Sequence, residues 1–136
     1  MKSYFWIAIG AALGGASRFW CGEVAAVLLG NDLPWGTMFV NVVGSFIIGF
    51  FAALTAPEGR YPVPFIGRQF VMVGFCGGYT TFSSFSLQTV ELMQRGAWLY
   101  AGVNVLSIAV SLFAVWVGHT SATALNRPPM IEMDEH

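Results

Sequence analysis

The sequence holds 136 residues, of which 56% are hydrophobic and only 10% charged, with a formal net charge of −1 at neutral pH. A water-facing domain of this size carries charge on about a quarter of its residues, so the composition excludes a soluble globular protein. Near-neutral charge likewise argues against a nucleic-acid partner, and a mean hydropathy of +0.66 points to lipid as the solvent.

The first predicted element runs from Tyr4 to Leu29. It is charge-free only from Ser3 to Ser17 and then carries Arg18 and Glu23. Lys2, the apolar run and the small residues Gly14-Gly15-Ala16-Ser17 are similar to a signal peptide. The apolar character continues to Leu29, and removal of a leader leaves an odd number of spans, so the segment reads as a membrane helix with an arginine in its far half. Gly10 and Gly14 offer a small-xxx-small packing face. The second element, Trp35 to Thr55, follows the breaker Gly30-Asn31-Asp32-Leu33-Pro34 and carries no charge as far as Ala56. On it Asn41, Gly44, Ser45 and Gly49 share one helical side.

The third element, Phe65 to Met93, is preceded by a connection with three prolines and is charge-free from Gln69 to Val90. Its centre reads Gly74-Phe75-Cys76-Gly77-Gly78-Tyr79-Thr80-Thr81-Phe82-Ser83-Ser84-Phe85-Ser86. Adjacent glycines are poor helix formers, and the hydroxyl-rich stretch after them predicts a helix broken near its middle. Within lipid a broken backbone is tolerated only where it is buried in protein or lines a wet cavity. The break therefore marks an ion or substrate site, against the plainer alternative of close helix packing by small residues. The fourth element, Trp98 to Leu125, lies in a charge-free run from Gly96 to Asn126 and sets Asn104, Ser107 and Ser111 on one side. Each of the last three runs supplies the ~20 apolar residues that a crossing helix needs. Trp35 and Trp98 open their spans, as interfacial anchors do.

The reading is an all-α integral membrane protein of four transmembrane helices in residues 1–125, with 126–136 a polar tail expected to be disordered. An even number of spans puts both ends on one side, with Lys2, Arg60, Arg68 and Arg127. Arg95 lies on the other side, and the positive-inside rule then favours cytoplasmic termini. Cys21 and Cys76 lie within apolar runs and read as small hydrophobes.

The chemistry suits an anion. Conduction of a partly dehydrated ion needs several moderate sites rather than one deep well. The Asn41 amide and the hydroxyls of Thr81, Ser84, Ser107 and Ser111 are donors of that strength. Phe82 and Phe85, one turn apart, have rings whose edges are electropositive, although as a bare pair of phenylalanines they read as packing residues. The half-helix before Gly77 ends in carbonyls and the negative end of its dipole, which attract a cation. If two chains met there, carbonyls from both would cage one. The alternative is a small proton-coupled four-helix exporter, which needs a titratable group such as Glu23 or His119 within the membrane. A structural subunit explains the small residues and not the hydroxyls. An enzyme is not expected, because no carboxylate pair, metal set or Ser-His arrangement falls at matched depth.

Gly14-Gly15 with Arg18, Gly36-Thr37 with Asn41 and Gly44, and the long block from Gly74 to Ser86 resemble the Fluc (CrcB) family of fluoride ion channels along nearly the whole chain. The resemblance implies an antiparallel, dual-topology homodimer with two fluoride pores in the bacterial cytoplasmic (inner) membrane, bathed in lipid. It implies a structural Na⁺ at the dimer centre, held by the backbone carbonyls of Gly77 and Thr80. It also implies a fluoride pore formed by Asn41, Thr81, Phe82, Ser83, Ser84, Phe85, Ser107 and Ser111, with Arg18 in a vestibule or structural role. Passive export of F⁻ to lower intracellular fluoride follows from the resemblance. Members often carry a glutamate three residues after the second phenylalanine, where this chain has Gln88, with Glu91 following.

Overall fold

A computed structural model describes residues 1–127; the expected tail beyond Arg127 lies outside the described residues. Among the described residues the chain is all-helical and forms four rods, whose bounds follow the breakers closely. The first rod, α1 (Lys2–Leu29), ends at Gly30, whose φ of 80° is one that side chains rarely adopt. The second, α2 (Trp35–Leu54), begins directly after Pro34 and stops at Thr55. The fourth, α6 (Trp98–Asn126), follows Gly96, which turns the chain at φ 74°. At 1.5 Å per residue these rods span roughly 30 to 44 Å, enough to cross a bilayer core.

The third rod is the irregular one. It opens with one turn of α-helix, α3 (Phe65–Arg68), widens into a π-helical segment over Gln69–Cys76, and closes with the short α4 (Gly77–Tyr79). Thr80 and Thr81 are extended, and the chain then re-enters a helix as α5 (Phe82–Gln94). The break thus falls two residues after the glycine pair, where the alternation of glycines and hydroxyls places it. The preceding π geometry was not legible in the residues.

Close backbone crossings hold the rods together. On α1, Gly10 lies against the Phe70 carbonyl, where a Cβ would come within 2.5 Å, and Gly14 lies against the Phe75 carbonyl. From the opposite side Gly74 meets the Ile7 carbonyl and Gly78 meets that of Ala11. The contact is a reciprocal small-xxx-small crossing, the form in which membrane helices gain dispersion contact without a hydrophobic drive. The main partner of α2 is α6: Gly49 lies on the Val115 carbonyl and Gly118 on that of Phe46.

Burial is inverted relative to a water-soluble protein. Asn104 is 0% exposed, whereas Leu106 is 63% and Phe113 62% exposed. Small and polar residues take much of the interior beside Val40, Phe85 and Leu92, while many Leu, Phe and Trp side chains face outward, an arrangement that suits hydrocarbon surroundings. Two rods, α2 and α6, are by length and apolarity alone able to cross a membrane, with mean hydropathies of 2.0 and 1.9. The third rod is interrupted, and α1 carries Arg18 and Glu23.

The loops sort to two ends. The α2–α3 loop meets the end of α6, where the Arg60 N–H donates to Asn126 Oδ1 at 2.9 Å. Asn126 Nδ2 and Arg68 Nη1 then satisfy the last carbonyls of α2, at Ala53 (2.7 Å) and Ala52 (3.1 Å), while Arg68 Nη1 also donates to Thr55 Oγ1 at 2.6 Å. Asn126 therefore belongs to the packed end of the bundle. At the opposite end the α1–α2 loop faces Leu92 and Arg95 across a small cavity.

Candidate functional site

Breaking a helix at mid-depth strands main-chain groups that need partners. The Thr81 N–H, which a continuous helix would direct to Gly77, donates instead to Asn41 Oδ1 at 2.7 Å. Asn41 Nδ2 donates in turn to the Thr81 carbonyl at 3.0 Å. The α2 amide thereby pairs with both main-chain groups of one residue, as a neighbouring strand would. From sequence, an asparagine at this depth either joins helices by hydrogen bonding or offers its amide to an ion; here one donor and the acceptor join α2 to the broken rod. Gly44, one turn along α2, makes room for Thr80, whose γ-methyl would collide with any Cβ there.

Other groups at the break are paired as well. The Cys76 carbonyl accepts both the Thr80 N–H at 3.0 Å and its hydroxyl at 2.9 Å. Arg18 Nη1 donates to the Thr80 carbonyl at 3.3 Å. Arg18, in the far half of α1, thus stands at the depth of the break. Thr81 caps α5: its Oγ1 accepts the Ser84 N–H at 3.2 Å and lies 3.2 Å from both Ser83 Oγ and Ser84 Oγ. A threonine N-cap is the usual way to open a helix.

Two helix ends therefore meet at Thr80 and Thr81, the negative end of the first half and the positive end of α5. Each end carries about half an elementary charge. Gly77, on the first half, has an exposed position with nothing within 4 Å of where a Cβ would stand. Its carbonyl has lost the Thr81 donor. Oxygen donors of this kind suit a hard cation. The Gly77 carbonyl fits such a role freely, and the Thr80 carbonyl retains one lone pair beside that used by Arg18.

Alongside the break runs an open groove of about 360 Å³. Asn41, Gly77, Thr80, Thr81, Phe82, Phe85, Ser107 and Ser111 all line it, drawn from α2, the broken rod and α6. Its other walls include Ile48, Met72, Ile108 and Val115. No carboxylate lines it. Phe82 is 73% exposed and Phe85 only 7%, with ring centroids 5.6 Å apart and planes tilted by 36°. The Ser107 and Ser111 hydroxyls donate to their own helix, at the Asn104 carbonyl (2.6 Å) and the Ser107 carbonyl (2.9 Å).

Six residues singled out in the sequence stand elsewhere. Ser83 and Ser84 are outside the groove and instead surround the Thr81 hydroxyl. Asn104, on the same periodic stripe as Ser107 and Ser111, turns to α5. Gln88 lines two smaller cavities at the end of the bundle near Asn31, one of them shared with Glu91. Glu23 and His119, the titratable groups of the exporter reading, are exposed and lie outside the groove.

Outward-facing apolar rods around a largely paired helix break, with an acid-free groove edged by donors, are the features of a helical membrane protein. The chain belongs to the family described as CrcB-like protein, Camphor Resistance (CrcB), whose pattern matches residues 5–119. It is 55% identical over 125 residues to the "Fluoride-specific ion channel FluC" of Methylocella silvestris, covering 91% of this chain and 95% of that one. A protein of the same name from Opitutus terrae is 57% identical over 127 residues, covering 93% and 96%. Another, from Paramagnetospirillum magneticum, is 52% identical over 128 residues, covering 93% and 100%. These relatives are ion channels by name, and the family is not one of enzymes.

Proposed function

We propose that this chain is a subunit of a fluoride-selective channel that releases F⁻ passively across the bacterial cytoplasmic membrane. The observation that carries the reading is the groove, which gathers Asn41, Thr81, Phe82, Phe85, Ser107 and Ser111 beside the positive end of α5. The relatives' names supply the ion. Desolvating a small anion is costly, and the groove offers replacements of moderate strength. Asn41 retains a second amide N–H beyond the one given to Thr81. The serine hydroxyls turn from helix carbonyls to the ion and back, so each site binds without trapping. The exposed Phe82 ring supplies an electropositive edge. Absence of a carboxylate from the walls removes the repulsion an anion would otherwise meet.

The groove is open along one side, and Gly77 presents bare backbone there. In this reading a second, inverted copy covers that face, closing two pores and bringing two pairs of Gly77 and Thr80 carbonyls together. Those carbonyls hold a structural Na⁺ whose charge offsets part of the cost of the nearby anions. Ser83 and Ser84 contribute through the Thr81 hydroxyl, and Arg18 through the Thr80 carbonyl. No proton or nucleotide coupling is required, because fluoride that enters as HF and ionises inside leaves down its own gradient.

Passive efflux from vesicles loaded with fluoride or chloride tests the proposal. Rapid fluoride loss without a proton gradient, with chloride retained, is expected. Efflux that requires an imposed proton gradient would contradict it.

A further inference from the structure

Asn104 is completely buried, yet it stands outside the groove that its α6 neighbours Ser107 and Ser111 both line. Its Nδ2 reaches across to α5, donating to the Phe85 carbonyl at 3.3 Å and to Thr89 Oγ1 at 2.8 Å. Thr89 Oγ1 donates to the same Phe85 carbonyl at 2.8 Å. On its own helix, the Asn104 carbonyl receives the Ser107 hydroxyl at 2.6 Å. Its Oδ1 is buried with no partner.

An asparagine needed only to fill space would not leave a buried oxygen unsatisfied, because an apolar side chain of similar size avoids that penalty. What asparagine adds is its pair of N–H donors, and both of its contacts fall on the turn of α5 that carries Phe85. We infer that Asn104 is a positioning residue for anion passage. It fixes α5 against α6 in the register that sets the Phe85 ring in one groove with the Ser107 and Ser111 hydroxyls. This inference rests on the channel reading above.

Purified wild-type protein, Asn104→Ser and Thr89→Val are compared in vesicles for fluoride and chloride efflux, with thermal midpoints measured in detergent. The serine is too short to reach α5 and bonds its own helix instead. Asn104→Ser is expected to slow fluoride efflux on the order of tenfold, because small misplacements of a positioned group are amplified. Chloride leak does not slow, so discrimination between the ions falls. Thr89→Val, which removes one of the two acceptors, gives a smaller loss in the same direction. A lower thermal midpoint with unchanged discrimination would overturn the inference and leave Asn104 a stability residue. If Asn104→Ser yields no folded protein, Thr89→Val decides by the same criterion. Wild-type vesicles that retain fluoride would overturn the channel reading and this inference together. Permeable wild type with equally discriminating variants would overturn the inference alone.

Discussion

Asn41 and Thr81, forty positions apart, are joined by two antiparallel hydrogen bonds, one at 3.0 Å from the amide and one at 2.7 Å to it. The side chain of one rod thus substitutes for the missing turn of another. A carbonyl and an N–H that the break exposes are both satisfied, which lets extended backbone persist at membrane depth.

Replacing Asn41 with leucine strands both Thr81 groups. Each buried unsatisfied group costs about 1–3 kcal/mol, so a lower thermal midpoint and loss of fluoride efflux are expected together. Asn41→Asp keeps the acceptor for the Thr81 N–H and is expected to fall between the two in thermal midpoint. A leucine variant of unchanged midpoint would show that water or another group satisfies the break.

Gly77 and Gly78 are adjacent and are expected to respond differently to alanine. A Cβ at position 78 meets the Ala11 carbonyl, whereas one at position 77 meets nothing in its own chain. Gly78→Ala should reduce folded yield, because backbone at a helix crossing cannot move aside. Gly77→Ala should leave the single chain folded, by circular dichroism, and weaken the dimer measured by crosslinking. Equal behaviour of the two variants would argue against a second copy covering Gly77.

Arg68 holds the end of α2 through the Ala52 carbonyl and Thr55 Oγ1. Arg68→Leu is expected to lower stability by about 1–3 kcal/mol through the unpaired groups, with ion discrimination unchanged in the folded fraction. A shift in discrimination would place this end of the bundle in the ion path.

Ser107→Ala and Ser111→Ala test the hydroxyl track without disturbing the fold. Both hydroxyls bond only their own helix, so stability should change by no more than about 1.5 kcal/mol. Fluoride efflux should fall several-fold in each variant. Unaltered efflux would make both serines packing residues.

The four rods were legible because lipid demands long charge-free runs, and Trp35–Ala56 and Gly96–Asn126 are each long enough to cross. The break was legible because two glycines followed by hydroxyls resist a helix. What closes it was not, since the pairing of Asn41 with Thr81 depends on how two rods meet rather than on local sequence. Periodicity placed Asn104 with Ser107 and Ser111, but a helical face is broad enough to touch two neighbours. α5 takes Asn104 while the groove takes the serines. Arg18 was legible as a charge in the far half of α1, but its partner was not, because the Thr80 carbonyl it meets belongs to another rod.

Phe82 gives the most direct test of the central claim, that this groove conducts fluoride past an aromatic edge. Its ring is largely exposed in the single chain, so Phe82→Ile removes the edge while leaving the fold of that chain intact. Fluoride efflux from vesicles, measured beside wild type, is predicted to fall by at least about tenfold at equal dimer content. Efflux equal to wild type in a folded Phe82→Ile dimer would contradict the account and move the ion path away from this groove.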